Sequence, residues 1–266
     1  MFVRLVAGLV GLAVLIPWMV FGGVPAIDLL VVAAGLICVD EYVRMAFPEA
    51  PGKPRLWIAA CVLALFGSAW YLTDRWLVLV SVIEVVGTMI FAVASPGPID
   101  KAADRLGRLF IGIGWIGGCF LFMPLLRRLD GGLAWIFLLL CLAWLSDTGA
   151  FFAGRFFGKT KLYEAISPKK TVEGYIGGML TAVAGVFVVR AVGLPSLTPV
   201  DAVVIGTVIG TAGVIGDLAE SLLKRAFNVK DSGTIMPGHG GLLDRVDSVL
   251  FVAPLLYGYA ILIKGF

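Results

Sequence analysis

Long apolar runs alternate with short polar breaks along almost the whole chain. A bilayer core takes about 20 apolar residues per helix. Runs close to that length recur at 3–22, 27–47, 56–73, 76–95, 108–126, 133–153, 173–192, 202–223 and 246–264. The pattern predicts about nine transmembrane helices joined by short loops, with no polar stretch large enough to fold as a soluble domain. The expected fold class is all-α, a polytopic membrane helix bundle. It forms one integral-membrane domain over 1–266, with N-terminal hydrophobic helices in 1–130 and the chemistry in 131–266. The first run, after Arg4, has the outline of a secretion signal. It contains Pro17 and Trp18 and leads straight into another apolar segment, so it reads as a retained first helix.

Composition agrees with that class. Apolar residues make up 60% of the 266 and charged residues only 15%, against about 25% charged in an ordinary soluble domain; mean hydropathy is +1.00. A net charge of +3 is too small to argue for nucleic acid, but the placement of the charges is informative. With the N-terminus inside, the cytoplasmic segments collect most of the 21 Lys and Arg, and only Arg75, Arg127, Arg128, Arg190 and Lys264 fall on the other side. The positive-inside rule therefore predicts an N-in/C-out orientation. The two most basic loops, after the sixth and eighth runs, then face the cytoplasm. The short N-terminus fits a bacterial cytoplasmic (inner) membrane.

Cys38, Cys61, Cys119 and Cys141 all sit in apolar runs without paired spacing, which argues against disulfides and zinc and for a packing role. Glycines four apart (Gly114/Gly118, Gly174/Gly178, Gly206/Gly210) let membrane helices approach closely. Packing within one chain is the simpler reading, and a homodimer is the other. No nucleotide-binding glycine motif is present, so a phosphate site here must rest on side chains.

Such side chains are concentrated late in the chain. Asp217, Glu220, Ser221 and Lys224 lie three, four and seven apart, and Asp244 and Asp247 three apart, so on helices each set forms a polar stripe. Asp147 lies late in the sixth run. Acids at membrane depth are costly and suggest function. An oxygen-only donor set suits magnesium, which takes one or two carboxylates and keeps phosphate or water as its other ligands. The plainer alternative is that these acids simply pair with Lys224, Arg225 and Arg245. Glu84, alone in the fourth run, fits a buried pair or a lipid contact as well as catalysis. His239, the only histidine, lies in Pro-Gly-His-Gly-Gly. That sequence must turn, and its glycines would let backbone N–H groups approach an anion.

The spacing Ser221-x-Leu-Lys224-Arg225-x4-Lys230-Asp231-x-Gly233-x3-Pro237-x-His239-Gly240-Gly241-x2-Asp244-Arg245-x-Asp247 resembles the C-terminal motif of phosphatidate cytidylyltransferases, the CDP-diacylglycerol synthases. Met236 is a small departure where that family has Ile, Leu or Phe. A second stretch resembles the family's central region: Ser146-Asp147-Thr-Gly-Ala-Phe, then Gly154-Arg155, Gly158-Lys159 and Ser167-Pro168-Lys169-Lys170-Thr171-x-Glu173-Gly174. The first half of the chain matches only in being hydrophobic.

The resemblance implies that CTP and phosphatidic acid give CDP-diacylglycerol and pyrophosphate, with Mg2+ and room for a second cation. It implies that Asp217, Asp244 and Asp247 bind the metal and, with Lys224, make up the catalytic set. Asp147, Arg155, Lys159, Ser167, Lys169, Lys170, Thr171, Ser221, Arg225, Lys230, Asp231, His239 and Arg245 become candidate contacts to the substrates. The implied partners are CTP, phosphatidate and membrane lipids. A reading from another class is a small ion-coupled transporter using Asp147 and Asp217. It lacks the internal repeat that such proteins often show. A third keeps the enzyme and changes the lipid: a CDP-archaeol synthase, or a polyprenol-type kinase that transfers the terminal phosphate.

Overall fold

A computed structural model describes residues 13–95, 97–235 and 240–266. Among them, eight helices are long and apolar enough to cross a membrane: α1 Gly23–Ala46, α2 Gly52–Tyr71, α3 Arg75–Ala94, α4 Ile99–Arg128, α5 Gly132–Phe157, α6 Val172–Gly193, α7 Pro199–Ala226 and α8 Leu243–Ile263. These match eight of the predicted runs. The other, 3–22, lies largely outside the described residues, although 13–21 is helical. One feature departs from an all-helical chain. Between α5 and α6 the backbone forms an antiparallel hairpin, β1 Lys161–Tyr163 with β2 Ser167–Thr171, pairing Lys161 with Thr171 and Tyr163 with Ser167.

The chain divides into two compact units. One comprises Met1–Leu125 with Ser232–Leu243, the other Leu126–Asp231 with Asp244–Phe266. The motif loop 232–243 thus belongs with the N-terminal helices, and its neighbours on either side in sequence do not.

In the first unit, glycines at some helix contacts make room for large side chains. A Cβ at Gly112 would come within 2.8 Å of Tyr42 and 2.9 Å of Ile58, and one at Gly35 within 3.2 Å of Phe66. Tyr42 is fully buried and its hydroxyl donates to the Arg108 carbonyl at 2.7 Å. Trp70 is likewise tied by its indole N–H to the Leu121 carbonyl at 3.0 Å. α3 is the exception, with only 11% of its most apolar window buried. Its one inward acid, Glu84, is 8% exposed, has no partner for Oε1 among the described residues and lines a mostly apolar cavity of about 360 Å³ with Gly114 and Gly118.

In the second unit, small residues bring α5 and α6 almost into backbone contact. A Cβ at Gly174 would lie 3.3 Å from the Cα of Gly154, and one at Gly178 would lie 2.9 Å from the Ser146 carbonyl. Gly206 faces the Val183 backbone and Gly210 faces Ala182 and Met179 on α6. Two of the three glycine pairs, Gly174/Gly178 and Gly206/Gly210, therefore pack within this chain, in the small-residue manner of membrane helices.

At the far end of this unit Asp201 closes a capping box with Thr198, accepts from Tyr259 and pairs with Lys264 at 2.9 Å. This cluster ties the start of α7 to the end of α8.

Candidate active site

Two helices widen N-terminal to their acids. α5 contains a π-helical turn at Cys141–Leu145, next to Ser146 and Asp147; α7 contains another at Ile205–Ile209, eight residues before Asp217. Such turns leave carbonyls poorly matched to the helical ladder. Hydroxyls compensate locally: Ser146 Oγ donates to the Leu142 carbonyl at 2.5 Å and the Ala143 carbonyl at 2.9 Å, and Thr207 donates to Val203 at 2.7 Å. These bonds reduce the cost of the distortion.

The hairpin is held by a carboxylate that spacing alone did not single out. Glu173, in the first turn of α6, accepts the N–H of Lys159 at 3.0 Å and of Thr160 at 3.2 Å. Thr171 caps the same helix, its hydroxyl accepting from Gly174 N–H at 3.1 Å. The sequence signal was present in Thr171-x-x-Gly174 and in an acid near the helix start, where the dipole favours negative charge. Together these contacts set the direction in which Lys169 and Lys170 leave β2.

A cavity of about 380 Å³ opens there, lined by Asp147, Ala150, Phe151, Gly154 and Arg155 from α5, Leu162, Lys169, Lys170 and Thr171 from the hairpin, Gly174 and Tyr175 from α6, and Val214 and Asp217 from α7. Lys170 Nζ is 2.8 Å from Asp217 Oδ2, and both side chains keep about a quarter of their surface exposed, at 24% and 29%. Ser221 Oγ donates to Asp217 Oδ1 at 3.4 Å. Asp147 feels the charges of Asp217, Lys170 and Arg245, and Asp247 feels Asp217, Asp147 and Lys170, so three carboxylates share one electrostatic neighbourhood. Asp247 itself is buried, and its Oδ1 accepts the N–H of Ser248 at 2.6 Å.

A second cluster is closed. Lys224 Nζ lies 2.5 Å from Glu220 Oε2 and 2.6 Å from Asp244 Oδ1, with side-chain exposures of 11%, 1% and 8% for the three residues. The stripe expected along α7 thus divides: Asp217, which accepts from Ser221, lines the cavity, while Glu220 and Lys224 turn to Asp244. For Asp244 the plainer alternative, simple pairing with Lys224, describes the geometry.

The other sequence candidates are more dispersed. Ser167 is half-buried in the hairpin, opposite Tyr163. Lys159, Arg225, Lys230 and Asp231 are exposed; Arg225 Nη1 reaches the Val229 carbonyl at 3.4 Å. Arg245 is exposed and its carbonyl accepts from Trp144 Nε1 at 3.4 Å. His239 lies outside the described residues.

The fit to a divalent metal can be judged from the donors. Asp147, Asp217 and Asp247 offer only hard oxygen, as magnesium prefers. Among the described residues, no group of three His, Cys, Asp or Glu is placed to hold a metal ion, and Asp244 faces Lys224 instead of Asp217. What fits magnesium is a smaller set, one or two carboxylates completed by substrate phosphate.

Comparison with known proteins gives this arrangement a context. Residues 2–263 match the model of the cytidylyltransferase family. The chain is 43% identical over 155 residues to a phosphatidate cytidylyltransferase of Bacillus subtilis, an alignment covering 58% of each protein. It is 42% identical over 163 residues to the one from Staphylococcus saprophyticus, covering 59% of this chain and 58% of that relative. With the phosphatidate cytidylyltransferase of Staphylococcus haemolyticus the likeness is 32% over 261 residues, covering 96% of each. The chain therefore aligns with just over half the length of the first two relatives and with nearly all of the third.

Proposed function

The chain belongs to the cytidylyltransferase family, and from that premise we propose that it transfers the cytidylyl group of CTP to phosphatidic acid, forming CDP-diacylglycerol and pyrophosphate for phospholipid synthesis. The observation that carries this reading is the cavity in which Arg155, Lys169 and Lys170 converge with Asp147 and Asp217. Two polyanions must meet for the reaction to occur, and clustered cations are what lower the cost of bringing them together.

In this reaction a phosphate oxygen of the lipid attacks the α-phosphorus of CTP. The bond from that phosphorus to the bridging oxygen of the β-phosphate breaks, and pyrophosphate leaves with the electron pair. The attacking oxygen is already ionised near neutral pH, so no strong general base is needed. Positioning and electrostatics dominate transfers of this kind.

Lys170 is poised to exchange Asp217 for a phosphate oxygen, because the pair is only half-buried and the competing anion would bring more charge. Arg155 and Lys169 clamp the remaining oxygens, Arg155 with the two-pronged geometry that guanidinium offers phosphate. Asp217 and Asp247, with Asp147 beside them, would hold Mg2+, which when bound neutralises charge building on the pyrophosphate. Lys224, fixed between Glu220 and Asp244, keeps α7 and α8 together beneath these groups. The positive-inside distribution supports a site that faces the cytoplasm, where CTP is available.

Labelled CTP tests the reading. Purified protein given phosphatidic acid should place label from the α-phosphate into lipid and none from the γ-phosphate. Transfer of γ-label instead would replace the reading with a lipid kinase, and transfer of neither would remove it.

A further inference from the structure

Glu41 lies in α1, far from the motifs in sequence, yet its carboxylate contacts both described ends of the segment 232–243. Both belong to the same compact unit. Glu41 is 5% exposed. Its Oε1 accepts the N–H of Leu242 at 2.9 Å, and its Oε2 accepts the N–H of Leu243 at 2.8 Å and the hydroxyl of Ser232 at 3.4 Å. Two successive backbone N–H groups at the start of α8, normally orphans of a helix N-terminus, are thereby satisfied by one buried anion, in the electrostatically favoured place.

The same carboxylate accounts for Gly233 and, together with Ser232, for Gly241. A Cβ at Gly233 would lie 2.6 Å from Glu41 Oε1, and a Cβ at Gly241 would lie 2.1 Å from Ser232 Oγ and 2.7 Å from Glu41 Oε2. Neither position admits a side chain while Glu41 stays in place. Gly240 has a separate reason, a φ of +82°, where only glycine is unstrained.

We propose that Glu41 is a positioning residue for the cytidylyl transfer, clamping Ser232–Gly233 and Gly241–Leu243 so that the first turn of α8, which runs on from Leu243 to Asp247, is held in place. This inference rests on the function proposed above. It also reassigns part of the glycine loop: the N–H groups of Leu242 and Leu243 serve an internal anion instead of a substrate.

The test uses the intact chain in detergent. Glu41→Gln leaves the shape but faces one of the two N–H donors with an NH2 group. Amide exchange at Leu242 and Leu243 should rise at least tenfold, with the centres of α2 and α6 unchanged. For cytidylyl transfer, kcat should fall at least tenfold while KM for CTP stays within about twofold, because Arg155, Lys169 and Lys170 are untouched. Gly233→Ala, which drives a methyl into the carboxylate, should reproduce both effects with Glu41 present. The double variant Glu41→Ala with Gly233→Ala should be no worse than Glu41→Ala alone, since contacting residues are non-additive and Glu41 supplies the nearest atoms to a Cβ at Gly233.

Wild-type exchange in Glu41→Gln and Gly233→Ala would overturn the clamp. Faster exchange with unchanged kcat would overturn its role in the reaction. If the unaltered chain transfers no α-label, the proposed function fails, and the exchange result by itself decides whether Glu41 holds the segment.

Discussion

The two lysine–carboxylate clusters of the second unit differ in one decisive respect, access. Lys170 and Asp217 pair at 2.8 Å on a cavity wall with 24% and 29% of their side chains exposed. Lys224, Glu220 and Asp244 pair at similar distances with 11%, 1% and 8% exposed. Water and an incoming anion can compete for the first pair. The second has already paid desolvation, and its members hold one another in place. From sequence both lysines were candidates for the reaction, Lys224 in the catalytic set and Lys170 as a contact to the substrates. Burial separates a group that can change partner from one that cannot.

The sharpest break in this comparison comes from Lys224. Lys224→Met leaves two carboxylates buried without their cation, a loss of about 3–5 kcal/mol for a broken buried pair. Thermal unfolding in detergent should show a large fall in melting temperature, together with lost turnover. A Lys224→Met protein as stable as the unaltered chain would place this cluster with the open one.

Asp217→Asn should do the opposite. Turnover should drop by roughly two to three orders of magnitude, in the range seen when a transition-state electrostatic contact is removed, while the melting temperature stays near that of the unaltered chain. Full activity would remove Asp217 from the metal set. The smallest effect is expected at Lys170. Losing one charge-assisted contact is worth about 1.5–3 kcal/mol, so Lys170→Ala should raise KM for CTP by roughly 10- to 100-fold. An unchanged KM would mean that the cavity does not receive the triphosphate.

Much of this was legible beforehand. Eight of the expected runs became helices because a bilayer-length apolar segment has few alternatives once its backbone must satisfy its own hydrogen bonds. Contacts within a single helix were equally readable: Ser221 reaches Asp217 and Lys224 reaches Glu220, four residues apart in each case, as helical geometry requires. The single stripe was not one stripe, however. Positions 217 and 220 point far enough apart around the axis to face different neighbours, and which neighbour each meets depends on how α6 and α8 pack. The hairpin also escaped notice, since its eight paired-strand residues sit in a polar loop whose shape is fixed by Glu173 and not by any alternation of its own.

Sequence by itself determined the membrane-spanning class, the order of the helices and the residue types available for phosphate and metal, because hydropathy and motif spacing are local properties of the chain. Tertiary structure alone decided that Asp217 meets Lys170, that Asp244 meets Lys224, and that Glu41, some 200 residues away, meets Leu242 and Leu243. Those pairings depend on which helix faces pack together and on how close glycine lets them come, and neither is written into the spacing of any one segment.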